Sequence, residues 1–230
     1  MRLDKYLSQS SDYSRKEIKK AIRQKAIEVN GETATDPGMK ISEQDDVVLY
    51  GIGVDFQGKR YFMMNKPEDV VSVTRDGRNT TALDLLEEPN KERLHVAGRL
   101  DKDATGLLLI TDDGVWTHQV ISPRKHCTKV YHVWTAESID ESMVEKFAQG
   151  IWLESENKRT LPAELQILSS HEARLSIQEG RYHQVKRMFA AQGNRVVALH
   201  REQIGEIRLD LELADGEYRS LTQKEIDSVW

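Results

Sequence analysis

The sequence predicts an α+β protein: a small N-terminal helix-and-hairpin module, then a larger domain on a mostly antiparallel, mixed β-sheet flanked by helices. Three observations carry this. The first fifty residues hold two helical patterns and an Asn-Gly turn. Glycines at Gly51, Gly53 and Gly58 mark a linker, after which the texture changes at Arg60. Beyond it, short apolar or alternating segments are joined mostly by turns, which is how an antiparallel sheet reads. The 230 residues therefore divide into residues 1–58, linker included, and residues 59–230, and a hydrophobic content of 38% is enough for a core.

Leu3, Tyr6 and Leu7 share one face of a first helix. Ser14 caps a second, with Glu17 three residues on completing a capping box. That helix turns Ile18, Ala21 and Ile22 inward and carries Arg15, Lys16, Lys19, Lys20 and Arg23 outward. Ala26–Val29 alternates as a strand, Asn30-Gly31 turns it, and Asp46–Tyr50 closes the module. In the second domain, strands are expected at Tyr61–Met64, Leu107–Ile110, Val130–Thr135, Leu165–Leu168, Ala173–Ile177 and Arg195–Leu199. Helices are expected at Thr81–Leu86, Val115–Ile121, Glu141–Gln149, His183–Gln192 and Thr222–Val229.

Composition narrows the function classes. One cysteine excludes a disulfide framework and a cysteine-based zinc site, and it fits a reducing cytoplasm. The N-terminus has no apolar signal core, and no apolar run approaches the roughly 20 residues of a membrane span. No phosphate loop or paired-glycine dinucleotide motif is present, and the histidines show no metal spacing. No cofactor and no metal are expected. Net charge is −5, yet the charge is segregated. Residues 1–25 hold eight Lys/Arg against three acids, and Arg174–Arg208 holds seven against three. Pro123–His132 holds three and no acid. Separate basic islands on an acidic protein suit a polyanion that follows a defined path, although any one island reads equally well as a solvated helix face.

The densest cluster of special residues is Gly98-Arg99-Leu100-Asp101-Lys102-Asp103-Ala104-Thr105-Gly106. A glycine-bounded loop that feeds the apolar run Leu107–Ile110 can hold a side chain rigidly, as catalysis requires. Two other readings compete. One is a structural polar turn. The other is a calcium loop, because Asp101, Asp103, Thr105, Gly106 and Asp112 fall at positions one, three, five, six and twelve of an EF-hand. Leu109 at position nine and a following strand, where an EF-hand has a helix, count against calcium.

Arg99-Leu100-Asp101 with Thr105-Gly106-Leu107-Leu108-Leu109-Ile110-Thr111-Asp112-Asp113-Gly114 resembles the signature of the pseudouridine synthases, in the branch that acts on ribosomal RNA. Asn65-Lys66-Pro67, Ser122-Pro123-Arg124 with Cys127 and Lys129-Val130-Tyr131, and Glu179–Phe189 resemble further motifs of that family. So does Leu199-His200-Arg201 with Ile204-Gly205. The N-terminal module resembles an RNA-binding domain shared with a ribosomal small-subunit protein and some tyrosyl-tRNA synthetases. The resemblance spans nearly the whole chain. It implies conversion of a uridine in ribosomal RNA, with small-subunit RNA the expected substrate, to pseudouridine by a cytoplasmic enzyme without a cofactor; oligomeric state is left open by the sequence, with a monomer the default expectation. It also implies Asp101 as the reacting carboxylate, Tyr131 as the ring against the uracil, and Lys186 as the basic partner of Asp101. RNA contacts are expected from Arg99, Lys129, Arg181 and Arg187, and from Arg15, Lys16, Lys19 and Arg23. From residue preferences alone, Tyr131 reads as core packing and Lys186 as a surface lysine. A non-catalytic ribosome-assembly factor on the same fold is the alternative. Two positions depart from the family pattern. Asp69 stands where glycine is usual, so a differently shaped loop is expected there, and Ala104 replaces a threonine. Asp103, two residues along a tight loop, is expected to point away from Asp101.

Overall fold

The computed structural model describes residues 1–11, 13–42, 44–55, 58–122 and 127–229. Pro123, Arg124 and Lys125, which belong to one basic island and one motif, lie outside this set. The chain forms two compact units, Met1–Lys59 and Arg60–Trp230.

The first unit contains α1 (Leu3–Ser10), α2 (Arg15–Arg23) and a four-stranded sheet of β1 (Ile27–Val29), β2 (Glu32–Thr33), β3 (Val47–Leu49) and β4 (Ile52–Gly53), in the order β2-β1-β3-β4. Ser14 and Glu17 form the expected capping box on α2. Leu3, Leu7, Ile18, Ala21, Ile27 and Leu49 close one apolar core. The predicted linker at Gly51–Gly53 is instead part of a hairpin. Tyr50 and Gly51 both take positive φ, 53° and 78°, and turn β3 back into β4. Paired left-handed residues match the twist of the flanking strands, and Asn30-Gly31 does the same between β1 and β2.

The second unit contains β5 (Tyr61–Lys66), β6 (His95–Val96), β7 (Thr105–Thr111), α3 (Gly114–Ile121), β8 (Lys129–Thr135), α4 (Ser142–Ala148), β9 (Trp152–Leu153), β10 (Lys158–Arg159), β11 (Glu164–Ser169) and β12 (Glu172–Ile177). It continues with α5 (Gln184–Ala190), β13 (Val196–Ile204), β14 (Ile207–Arg208), β15 (Tyr218–Ser220) and α6 (Gln223–Asp227). The main sheet runs β11-β12-β8-β13-β7-β5-β15, with β6 on β7 and β14 on β13. Its pairings are antiparallel except that β13 lies parallel to β7. β5 and β7 are buried on both faces. Met63, Leu107 and Leu109 pack under Trp116 and Val120 of α3, while Phe62, Met64, Leu108 and Ile110 pack under Leu83, Leu86 and Leu94. Double burial explains why these strands read as apolar runs while β8 alternates. Helices α4 and α5 cover one face of β8, β11, β12 and β13 through Met143, Phe147, Val185, Met188 and Phe189.

No helix forms at the predicted Thr81–Leu86. Thr81 is held extended by a bridge to Val71, its N–H donates to Asp84 Oδ2, and the Asp84 N–H donates back to Thr81 Oγ1. These local side-chain bonds satisfy the backbone as turns. The strand β15 was not expected, being three residues of mixed polarity paired only with β5. Among the described residues, no helix is long and apolar enough to cross a membrane.

Candidate active site

The Asp101 loop joins β6 to β7, and several polar groups of its backbone are held by side chains from other strands and loops. Arg201, on β13 and only 1% exposed, donates from Nε to the Leu107 carbonyl and from its two terminal nitrogens to the carbonyls of Arg99 and Gly98. The Leu100 N–H donates to Ser72 Oγ, and the Lys102 carbonyl accepts from the Asp69 N–H and from Lys66 Nζ. Lys66 is fully buried at the end of β5 and also donates to the carbonyls of Pro67 and Val70. Burial pushes its ammonium down to about 8, against the pull of Asp103 and Asp101. The side chains of Leu100 and Ala104 are anchored in the core beside Tyr131. Asp101 thus stands, half-buried, on a loop whose backbone has little freedom.

Gly106 makes this arrangement possible. Its φ is +98°, and a Cβ there would fall 2.5 Å from the Arg201 carbonyl oxygen. Asp69 likewise has φ +64°, a left-handed conformation that glycine adopts at less cost.

Two basic groups reach the Asp101 carboxylate from α5 and the turn before it. Lys186 Nζ lies 3.5 Å from Asp101 Oδ2 and His183 Nε2 lies 3.4 Å from Asp101 Oδ1. Lys186 Nζ also lies 2.5 Å from Asp103 Oδ1. Asp103 stays outside the cleft that Asp101 lines, but one ammonium reaches both carboxylates, and the turn in which the Ala104 N–H donates to the Asp101 carbonyl keeps them close enough for that. The Lys186 hydrogen bond holds the Asp103 carboxyl below the usual range. The same geometry answers the calcium reading. An ammonium occupies the space between the carboxylates, and Thr105–Thr111 is an extended strand that carries Asp112 to its far end, where it binds Arg60. Among the described residues, no three His, Cys, Asp or Glu converge as a metal site.

Tyr131, 7% exposed on β8, pairs with Leu175 on one side and Arg201 on the other, and its ring centroid is 6.0 Å from the Arg201 guanidinium. Asp101, Tyr131, Lys186, Arg99, Lys129 and Arg201 all line one cleft of about 570 Å³. Lys129 is buried and donates to the Cys127 carbonyl, and burial lowers its pKa. Arg99 is exposed at the cleft. Arg181 and Arg187, expected to meet RNA, are already engaged. Arg181 binds Glu179, Glu156 and the Arg159 carbonyl, and Arg187 binds Glu156, Ser155 and the Tyr182 carbonyl. Arg15, Lys16, Lys19 and Arg23 are exposed along α2 of the first unit. His183, Asp103, Lys66 and Arg201 were missed as site residues. Lys66 and Arg201 stand inside recognisable motifs, but nothing local reveals that strand pairing buries them.

A family model for RNA pseudouridylate synthases matches residues 60–191, and a model for the S4 domain matches residues 1–47. The chain is 52% identical over 232 residues to ribosomal small subunit pseudouridine synthase A of Vibrio parahaemolyticus, and 48% identical over 230 residues to the protein of that name from Escherichia coli. In both cases the alignment covers the whole of each chain. A crystal structure of a pseudouridylate synthase superposes with a TM-score of 0.73 at 43% identity, again over the whole of both chains. The chain, with its clamped aspartate loop and an S4 domain ahead of it, belongs to the RNA pseudouridylate synthase family.

Proposed function

We propose that this protein converts one uridine of small-subunit ribosomal RNA to pseudouridine, in the cytoplasm, as a monomer and without a cofactor, with Asp101 as the reacting group. The observation that carries this is one carboxylate, held on a clamped loop, beside the Tyr131 ring and between His183 and Lys186. In the reaction the bond from the ribose C1′ to N1 breaks, the base turns, and C1′ bonds to C5. The C5 proton leaves and N1 gains one, so nothing is oxidised or reduced. A carboxylate can attack the sugar carbon, add to the uracil ring, or remove a sugar proton, and each route needs it ionised. A free aspartate titrates near about 3.9 and is ionised at neutral pH. Bound RNA would exclude water from the carboxylate, and the Lys186 ammonium 3.5 Å away supplies the counter-charge that water no longer screens. Tyr131 supports the uracil face, which must leave its helical stack to be reached.

A glycosidase uses two carboxylates with water between them. Here Asp101 lines the cleft and the second carboxylate, Asp103, bound to Lys186, does not, so a single carboxylate faces the substrate. The S4 unit supplies affinity through α2, from Arg15, Lys16, Lys19 and Arg23. Arg99 contacts the phosphate, or fills the gap, next to the extruded uridine.

The test is Asp101→Asn. The amide is a poor nucleophile and a poor base, so single-turnover tritium release from C5-labelled small-subunit RNA should fall by many powers of ten while RNA affinity is kept. Substantial residual turnover would sink the assignment. Pseudouridine maps unchanged by loss of the gene would favour the non-catalytic assembly factor.

A further inference from the structure

One aromatic ring at the cleft has no part in the chemistry of Asp101. Tyr182 is 73% exposed, and it lines the cleft together with Asp101 and Tyr131. Its ring is not loose. It lies on the His183 imidazole with centroids 3.8 Å apart and planes 18° from parallel. His183 has φ +48°, a left-handed conformation that a non-glycine residue keeps only where its surroundings impose it. The imposing bonds are visible. The Tyr182 carbonyl accepts from Arg187, the Arg181 N–H donates to Gln184 Oε1, and Gln184 Nε2 donates to Glu179. The result is a rigid turn that offers one covered and one open aromatic face, while the far edge of the histidine reaches Asp101.

We propose that Tyr182 and His183 form a shelf on which an unpaired RNA base beside the target uridine stacks. The inference rests on the proposed function, since it assumes an extruded uridine against Tyr131. Tyr131 lies deep in the cleft and Tyr182 at its rim, so the two rings serve different bases. Sequence-specific RNA recognition works mainly on splayed single-stranded bases laid on aromatic side chains. A path for the strand exists as well. His183 and Lys186 line both the cleft and a second groove that runs past Arg187 and Arg195. A strand crossing the shelf would therefore pass from one cavity to the other beside Lys186 and the exposed Arg195, with Glu137 on the same groove.

Because stacking depends on a π face and not on bulk, the variants separate the two. The probe is a single-stranded RNA 11-mer with one uridine flanked on both sides by the fluorescent base 2-aminopurine. Wild type and Tyr182→Phe should bind it and quench its fluorescence. Tyr182→Leu should bind on the order of tenfold more weakly and leave one 2-aminopurine bright. With abasic sites in place of the flanking bases, wild type and Tyr182→Leu should bind alike. Quenching and affinity unchanged in Tyr182→Leu, or no quenching by wild type, would overturn the shelf. The readout needs no turnover. Loss of the isomerase reading would show separately, as wild-type protein that stacks the probe and yields no pseudouridine in small-subunit RNA.

Discussion

Lys186 serves two carboxylates, and the division of its charge is the most exposed point of the proposed chemistry. Lys186→Met should slow the bound-state rate far more than it weakens RNA binding, because Asp101 loses its counter-charge where RNA excludes water. Asp103→Asn should leave that rate close to wild type, since the ammonium is then left to Asp101 alone. Arg187→Met should also leave the bound-state rate in place, its partners being Glu156 and Ser155. Single-turnover rates and affinities of the three variants check this, and a bound-state rate unmoved in Lys186→Met would refute the pairing.

Lys66 gives a pH dependence at the alkaline end. Its pKa falls from 10.5 to about 8 on folding, so between those values the unfolded chain holds more protons than the folded one. The contribution of Lys66 to stability therefore rises as pH climbs through that window. The clamp on the carbonyls of Pro67, Val70 and Lys102 weakens over the same range, because charge-assisted bonds are the stronger ones. Activity should fall above about pH 8 in wild type with no matching loss of stability. Lys66→Met should start lower and lack that limb. Parallel single-turnover rates and urea denaturation would measure both. At this scale Asp101, Tyr131 and Lys186 were legible through the family resemblance of their motifs, residue preferences alone giving core packing for Tyr131 and a surface position for Lys186, and the cleft brings the three together. His183 and Asp103 were not legible, because a left-handed residue and a turn closed by Ala104 aim them, and residue type announces neither.

Elements were legible in proportion to their burial pattern. The alternation of β8 and the apolar run of β7 survive as strands, and the capping box marks α2. The Thr81–Leu86 segment misleads because Leu83 and Leu86 have helical spacing, although they pack beneath β5 and β7 as turn residues. The hairpin at Tyr50-Gly51 was hidden because tyrosine is an unusual left-handed residue. The β7–β13 junction is where close approach of two strands decides the outcome of a substitution. Gly98 and Gly106 both have positive φ, but a Cβ at Gly98 meets only Ile121 at 3.8 Å, whereas one at Gly106 meets Arg201 backbone at 2.5 Å and 2.8 Å. Gly98→Ala should cost about 1–2 kcal/mol, for the backbone conformation alone. Gly106→Ala should cost roughly 3 kcal/mol or more, since the strands must also separate. Urea denaturation of the two variants gives the difference, and equal losses would show that the strands yield freely.

For the whole molecule, net charge misdescribes the surface a polyanion meets. The protein carries −5, yet α2 shows solvent five basic side chains, Arg15, Lys16, Lys19, Lys20 and Arg23, against one acid, Glu17. Replacing Arg15, Lys16, Lys19 and Arg23 together by glutamine should weaken RNA binding. It should also flatten the dependence of log affinity on log salt by about 0.7–0.9 for each phosphate that is no longer neutralised. The bound-state rate should be unchanged, because the reacting groups all belong to the second unit. Titrations at several salt concentrations check this, and an unchanged slope would mark α2 as an ordinary solvated face.

The one parallel pairing in the main sheet also sets when the enzyme can exist at all. Arg201 grips carbonyls 102 and 103 residues earlier in the chain, and β13 reaches β7 only after β8, β11 and β12 have been made. Closing so long a loop carries an entropic penalty that nearby contacts do not share, and folds dominated by such contacts assemble slowly. β5 and β7 can pair early and bury their leucines, but in that state the aspartate loop is still unseated. The grip on the aspartate loop thus depends on chain that follows it by about a hundred residues, and a chain cut short before β13 would keep the basic helix and lack the clamp.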